Sequence, residues 1–328
     1  MADIALIMNK SLKGSDLTRE EALSVLDCPN EAVLELLNAA YTVRKKHFGN
    51  TVHVQMLMNA KSGLCTEDCG YCTQSKVSGA DIKEYGLKPS AELVAGAIAA
   101  KKNGAIRYCM ALSSIKYDDK LIDSLAQSVA MIKKETGISI CCSMGFITPG
   151  QAAKLKSAGL DRINHNLNSS REYYPKICST HTYDERINNI SVCRAAGLEI
   201  CSGGIIGLGE GKQGVVDMFM ELKKINPDSI PINFFIPVKG TPFEKMGDEL
   251  TPLYCLKVLC MARFLNPSAD LRAAGGREYR LKSMQGFALY AVNSIFVSGY
   301  LTTGGQGAGE GFDMIREMGF NAEIEGVE

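Results

Sequence analysis

Residues 182–206 read Thr-Tyr-Asp-Glu-Arg-Ile-Asn-Asn-Ile-Ser-Val-Cys-Arg-Ala-Ala-Gly-Leu-Glu-Ile-Cys-Ser-Gly-Gly-Ile-Ile. Positions 182–196 carry a helical pattern, Gly197 follows the last periodic residue as a C-terminal cap does, and 198–206 is an apolar, β-prone run. The same unit recurs on both sides. Further β-prone runs fall at 52–60, 106–112, 138–144, 161–167, 229–238, 269–274 and 294–300. Helical patterns fall at 89–103, 120–136, 148–158, 212–225, 251–265 and 281–292, and Gly104, Gly137 and Gly159 close three of them. Eight strands alternating with helices predict the α/β class and a (β/α)8 barrel of the TIM type, with a doubly wound open sheet as the alternative. Residues 15–47 read as helical, from the capped start Leu17-Thr18-Arg19-Glu20-Glu21 through the stripe Val33, Leu34, Leu36, Leu37 and Ala40. The expected division is an N-terminal helical extension over 1–50, the barrel over 51–303, and a Gly-rich segment with a short C-terminal helix over 304–328.

A chain of 328 residues with 46% hydrophobic content can bury a sizeable core. Its 36 basic and 36 acidic residues cancel, which argues against nucleic acid or an anionic membrane as a partner. No apolar run approaches the roughly 18 residues of a membrane span. Twelve cysteines behind a start, Met-Ala-Asp-Ile, with no basic signal-like segment point to a reducing cytoplasm, where thiols serve metals or catalysis. With four His and no Trp, a triad hydrolase or a histidine-rich metal centre is excluded as the leading class.

Cys65, Cys69 and Cys72 stand in the string Cys-Thr-Glu-Asp-Cys-Gly-Tyr-Cys, spaced C-x3-C-x2-C. Iron–sulfur cubanes normally take four thiolates, so three suggest one iron left open for another ligand. The bland alternatives are buried core thiols on one helix face, a zinc site, or disulfides. Gly70 and the polar insert Thr66-Glu67-Asp68 argue against a buried helix, and no Cys or His between Cys72 and Cys109 offers zinc a fourth ligand.

In a barrel, chemistry belongs at the C-terminal ends of the strands. The second strand carries Cys109, the third Cys141 and Cys142, the fourth Asn164, Asn166 and Asn168, the fifth Cys201 beside Gly203 and Gly204, the sixth Asn233 and the seventh Arg272. Alternation aims one of Cys141 and Cys142 at the barrel axis. A free Cys usually behaves as a small buried hydrophobe. Three carboxamides on one strand face are different, because they leave many donors and acceptors that a polar ligand would satisfy. An interior Arg272 demands an anion or a metal-cluster partner. His165, of opposite parity, is expected to face the helices as a structural residue, and Cys28, Cys178, Cys193, Cys255 and Cys260 receive no chemistry. The string Gly209-Glu-Gly-Lys-Gln-Gly214 fits a dinucleotide fingerprint, but the next strand ends Ile236-Pro237-Val238-Lys239 without the ribose-binding carboxylate. The glycines from Gly203 and Gly204 through Gly214 are read instead as letting backbone approach a flat ligand.

The triplet, with Tyr71 before its last Cys, resembles the radical S-adenosylmethionine signature. From about residue 50 to 303 the chain resembles the biotin synthase family, through Ser62–Cys72, Asn164–Asn168, Cys201–Glu210, Pro231–Asn233, Val238–Pro242, Gly275–Glu278 and Val292–Phe296. The resemblance implies a 4Fe–4S cluster on Cys65, Cys69 and Cys72 that binds S-adenosylmethionine at its open iron and reductively cleaves it to a 5′-deoxyadenosyl radical. That radical takes hydrogens from two saturated carbons of dethiobiotin, and sulfur bridges them to form biotin. No side-chain base reaches such C–H bonds, so the radical is borne by the cofactor and no catalytic side chain is expected. The resemblance further implies an auxiliary iron–sulfur cluster, the sulfur donor, on Cys109, Cys141, Cys201 and Arg272. It implies S-adenosylmethionine contacts from Tyr71, Asn166, Asn168, Arg186, Ile205 and Ile236. Dethiobiotin contacts are implied for Asn164, Asn166, Asn233, Thr302 and Thr303. A flavodoxin or ferredoxin as electron donor and a homodimer are implied as well.

The chain departs from the family pattern in three places. Asn168 stands where many members have Asp, and Ala111-Leu112-Ser113-Ser114 replaces the usual segment after Cys109. Cys142 adds a thiol: it packs outward, or the auxiliary cluster is a four-iron type with a donatable sulfide rather than 2Fe–2S. The remaining alternatives are a related radical enzyme, such as a maturase or mutase without the second thiol set, and a non-catalytic iron–sulfur carrier.

Overall fold

A computed structural model describes residues 2–246, 250–297 and 305–323. Thr302, Thr303 and the end of the last predicted strand, 298–300, lie outside the described residues. The ring consists of β1 (Thr51–Lys61), β2 (Arg107–Leu112), β3 (Ser139–Ser143), β4 (Arg162–Asn164), β5 (Glu199–Cys201), β6 (Gly204–Ile206), β7 (Ser229–Phe234), β8 (Asp270–Ala273) and β9 (Ser294–Val297). Every neighbouring pair is parallel, and the β1–β9 ladder closes the circle. β5 and β6 both pair with β7 and are two pieces of one stave. The result is an eight-stave (β/α)8 barrel, and the open-sheet alternative is excluded. The strands β7, β8 and β9 are buried at every position, as strands covered on both faces must be.

Three helices, α1 (Ile4–Lys13), α2 (Arg19–Leu26) and α3 (Val33–Phe48), precede the barrel. The outer ring is α4 (Ser90–Lys102), α5 (Asp119–Thr136), α6 (Pro149–Ser157), α7 (Tyr183–Ala195), α8 (Gly211–Ile225) and α9 (Pro252–Leu265). A short α10 (Arg277–Leu281) and the C-terminal α11 (Ala308–Glu317) follow, and β10 (Asn321–Glu323) adds to β1. Reciprocal capping boxes start α2, α6 and α7: Thr18 with Glu21, Thr148 with Gln151, Thr182 with Glu185. At the other ends the expected glycines are left-handed; Gly137, at φ 68°, donates its N–H to the Lys133 carbonyl and stops α5.

Several expectations need correction. The helical span 15–47 is broken at Pro29, and α1 lies ahead of it, unread. The fourth strand stops at Asn164 rather than 167, and the fifth is interrupted after Cys201. Helix 281–292 is α10 followed by a 3₁₀ segment, Lys282–Tyr290. β10 escaped notice because three residues with charged or polar ends carry no periodic signal.

Two buried arginines seal the loops at the lower end of the barrel. Arg44 donates to the Val292 and Thr51 carbonyls at 3.0 and 2.7 Å, and burial lowers its guanidinium to about 10. Arg263 binds the Ala291 carbonyl at 2.8 Å and Asn293 Oδ1 at 2.7 Å.

Gly203 and Gly204 are explained by protein packing, not by a flat ligand. A Cβ at Gly203 would overlap the Pro231 carbonyl, and one at Gly204 the Met218 sulfur. Gly203→Ala should therefore destabilise the fold by about 1–3 kcal/mol, as overpacking does. Thermal melting checks this, and an unchanged midpoint contradicts it.

Candidate active site: two sulfur sets on one barrel axis

A cleft of about 310 Å³ opens at the C-terminal ends of the strands. The loop after β1 lays Cys65, Cys69 and Cys72 along one wall of it. All are free thiols, as is every Cys among the described residues. Burial raises Cys65, and lifts Cys72 to about 11. A metal ligand must be thiolate, so a dry pocket that disfavours three thiolates accepts them only with a cation. This donor set fits a cluster with three protein ligands.

The segment Ile177–His181 clamps that loop. Gly70 N–H donates to the Ile177 carbonyl at 2.9 Å, and Ser179 N–H to Asp68 Oδ1 at 2.9 Å. Thr180 Oγ1 and His181 Nδ1 both reach Glu67 Oε2 at 2.5 Å. Hydrogen bonds from Ser179, Cys178 and Thr180 outweigh desolvation and hold the Asp68 carboxyl well below the usual carboxylate range.

Of the other predicted contacts, Tyr71 shares the cysteine loop and the rest come from elsewhere on the barrel. Tyr71, Asn164, Asn166, Asn168, Arg186, Ile205, Asn233 and Ile236 all line the cleft. The asparagine row arises differently from the parity argument. Only Asn164 is on a strand, where Nδ2 donates to Asn166 Oδ1 at 2.9 Å. Asn168 is left-handed, at φ 70°, with its N–H on the Gly203 carbonyl and its own carbonyl taking Ile205 N–H. An Asn tolerates that conformation, which gives the residue a backbone reason to be there. Asn233 spans Gly204 and Gly275, accepting from the latter at 2.9 Å. Arg186, on α7, donates to the Asn166 carbonyl at 2.8 Å, to His181 Nε2 at 3.0 Å and to Tyr174 Oη. Ala111, Leu112, Ser113 and Ser114 line the cleft too, and Ser113 Oγ donates to the Gly63 carbonyl at 2.6 Å.

Below the cleft lies a smaller cavity of about 30 Å³, lined by Cys109, Cys141, Cys201 and Arg272. It shares Ala111, Ser143, Asn164 and Asn166 with the upper space. Cys109 and Cys141 are register partners on β2 and β3. Arg272 is 1% exposed, and donates to Cys201 Sγ at 3.2 Å, Ser229 Oγ at 2.8 Å and Gln55 Oε1 at 2.5 Å. Among the described residues its Nε–H has no hydrogen-bond partner. Three buried thiols beside an arginine with an orphaned donor fit an anionic metal–sulfur group. Hydrogen bonding to Cys141 lowers Cys109, while burial raises Cys201. Cys142 packs into the main core, away from the other three sulfurs, as outward packing predicted.

His165 is buried as expected, with Nδ1 on the Met144 carbonyl at 2.9 Å, yet its ring also lines the cleft. Alternation lapses once β4 ends, so parity misplaced it. Gln55 and the Glu67–Cys178–His181 group were missed. Gln55 had the signal that exposed Arg272, a polar residue inside a buried strand; Cys178 had none, since its partners are distant in sequence.

The family described as the Radical SAM superfamily matches residues 61–222, and the Biotin and Thiamin Synthesis associated domain matches 231–321. A biotin synthase of Geobacillus kaustophilus is 46% identical over 324 residues, 99% of this chain and 97% of that protein. Another, of Bacillus licheniformis, is 45% identical over 98% of this chain and 96% of that protein. In fold the chain resembles methylornithine synthase, with a TM-score of 0.83 at 19% identity over 96% and 97% of the two chains.

Burial, with Arg186 adding to it, lowers the His165 imidazole to about 3 from the ordinary 6.5. The unfolded chain takes up a proton between those values that the fold refuses, so stability is full above 6.5 and declines as pH falls. From pH 6.5 to 5 the loss is about 2 kcal/mol. Anaerobic urea titration of His165→Gln should show a flatter decline over this range, and an unchanged slope contradicts the assignment.

Proposed function

The chain belongs to the biotin synthase family, radical S-adenosylmethionine sulfurtransferases that use a 4Fe–4S cluster, and from that premise we propose how its two thiol sets divide the reaction. Cys65, Cys69 and Cys72 hold the 4Fe–4S cluster. Once bound there, the cluster would supply the electron for reductive cleavage of S-adenosylmethionine. Cys109, Cys141, Cys201 and Arg272 hold the auxiliary cluster whose sulfur enters dethiobiotin.

The observation that carries this division is the shared wall. Asn164 and Asn166 border both cavities, so a substrate held there has the radical source above and the sulfur source below. Arg186 faces the carboxylate of S-adenosylmethionine, Asn166 and Asn168 its ribose, and Tyr71, Ile205 and Ile236 its adenine. Asn168 serves there as a neutral acceptor in place of a carboxylate. Asn164, Asn166 and Asn233 meet the ureido ring, whose alternating donors and acceptors suit carboxamides. Thr302 and Thr303 receive the substrate carboxylate. The side chains bind, orient and keep water out, which is what a protein contributes to cofactor-borne chemistry.

The outward packing of Cys142 favours a 2Fe–2S auxiliary cluster over a four-iron one. Balanced charge and abundant free thiols favour a cytoplasmic enzyme, and family resemblance favours a homodimer reduced by flavodoxin or ferredoxin. Among the described residues no helix is long and apolar enough to cross a membrane.

Anaerobically reconstituted protein should convert dethiobiotin to biotin, with 5′-deoxyadenosine and methionine as co-products. Formation of 5′-deoxyadenosine without biotin contradicts the proposal. Cys109→Ala should abolish biotin while 5′-deoxyadenosine formation persists, read by chromatography of both products. Equal loss of both contradicts the division between the sets.

A further inference from the structure

Ser143 closes β3 as the register partner of Asn164 on β4, and it lines both the upper cleft and the lower cavity. Its Oγ lies 2.9 Å from Asn164 Oδ1. Which way that bond runs follows from a group whose direction cannot change. Gly203 N–H donates to Asn166 at 3.1 Å, so the receiving atom is Oδ1 and the Asn166 carboxamide cannot be turned over. Asn164 stands 2.9 Å from the same oxygen and must offer Nδ2 to it, because two carbonyl oxygens at that distance repel. The other Asn164 hydrogen goes to Cys201, whose carbonyl and sulfur both lie at 3.3 Å. Asn164 therefore turns Oδ1 to Ser143, and Ser143 spends its only hydroxyl hydrogen there.

The row that results has a donor end and an acceptor end. Asn166 Oδ1 is filled by two donors, and among the described residues neither hydrogen of its Nδ2 engages the protein. Ser143 Oγ, its hydrogen committed, has only lone pairs left to offer. A ligand that bridges the row must accept at Asn166 and donate at Ser143. A cyclic urea does both, with its carbonyl oxygen on one residue and a ring N–H on the other. A carboxylate does not, since it would set an oxygen against the Ser143 lone pairs. The two Asn166 hydrogens suffice for a ureido oxygen and a ribose hydroxyl together.

Resting on the placement of the dethiobiotin ureido ring at these asparagines, we infer that Ser143 is a specificity-determining residue that accepts a ureido N–H, while Asn166 Nδ2 donates to the ureido carbonyl. Gly203 N–H sets this polarity through Asn166 and Asn164. The substrate thereby has one orientation. A ring turned over would oppose its carbonyl to Ser143 Oγ and its N–H to Asn166 Nδ2, leaving both ends of the row unsatisfied.

The test is calorimetric binding to anaerobically reconstituted wild type and Ser143→Ala, with S-adenosylmethionine present, no reductant, and iron counted in each sample. The ligands are dethiobiotin and the two lactam analogues in which one ureido N–H or the other is replaced by CH2. Wild type should bind one of the lactams about tenfold more weakly than dethiobiotin, as loss of one hydrogen bond predicts. Ser143→Ala should weaken dethiobiotin by a similar factor and leave that lactam where wild type has it, because both changes remove the same bond. Ser143→Ala that binds dethiobiotin within about twofold of wild type overturns the inference. So does a variant that weakens dethiobiotin and the lactam by one factor, since its hydroxyl then only braces Asn164. Wild type that binds both lactams as tightly as dethiobiotin overturns it too, and this comparison decides alone if Ser143→Ala loses iron. Wild type that carries its iron but does not bind dethiobiotin overturns the placement of the substrate, and the inference with it.

Discussion

Asn164 Nδ2 donates to Asn166 Oδ1 at 2.9 Å, and the same oxygen takes Gly203 N–H at 3.1 Å. Asn164 also reaches Cys201 Sγ at 3.3 Å. These short bonds tie the end of β4 to the break between β5 and β6, where the upper cleft meets the lower cavity. Shift this bridge and the two cavities lose their common wall. The glycines serve the same constraint, since Gly203 must sit against the Pro231 carbonyl for its N–H to reach Asn166.

The barrel interior is unusually polar at this level, and its charged groups are held by identifiable partners. Arg272 and Gln55 bond one another and surround the sulfurs of Cys109 and Cys201. Beneath them Arg162 pairs with Glu199 at 2.8 Å and with Asp270 at 3.5 Å, and Asn293 braces Asp270 at 2.8 Å. Buried charges of this kind are costly unless paired. Arg272 Nε is one of several buried polar atoms left without a partner among the described residues, and it belongs to the residue that lines the lower cavity, where the proposed auxiliary site would hold its group.

Most of the ring was legible in the sequence, because β7, β8 and the helices around them carry strong apolar periods closed by Gly137 and its counterparts. What escaped were short pieces held by tertiary bonds: β10, the β5–β6 break, and the end of β4 at Asn164. The cysteine triplet, the second thiol set and Arg272 were visible because their residue types are improbable where they stand. The asparagines were found by a parity argument that holds only for Asn164; Asn166 and Asn168 reach the cleft through a turn. The bond between His181 and Glu67 spans more than a hundred residues, and only the folded chain brings it together.

Iron and acid-labile sulfide counted per chain, with Mössbauer typing, test the central claim most directly. The samples are wild type, the Cys65/Cys69/Cys72→Ala variant and the Cys109/Cys141/Cys201→Ala variant, each reconstituted anaerobically. Two independent sites predict that each triple variant loses one spectral component and keeps the other, and that their iron contents sum to the wild-type value. A wild type with a single component, or a Cys109/Cys141/Cys201→Ala variant with undiminished iron, would contradict it.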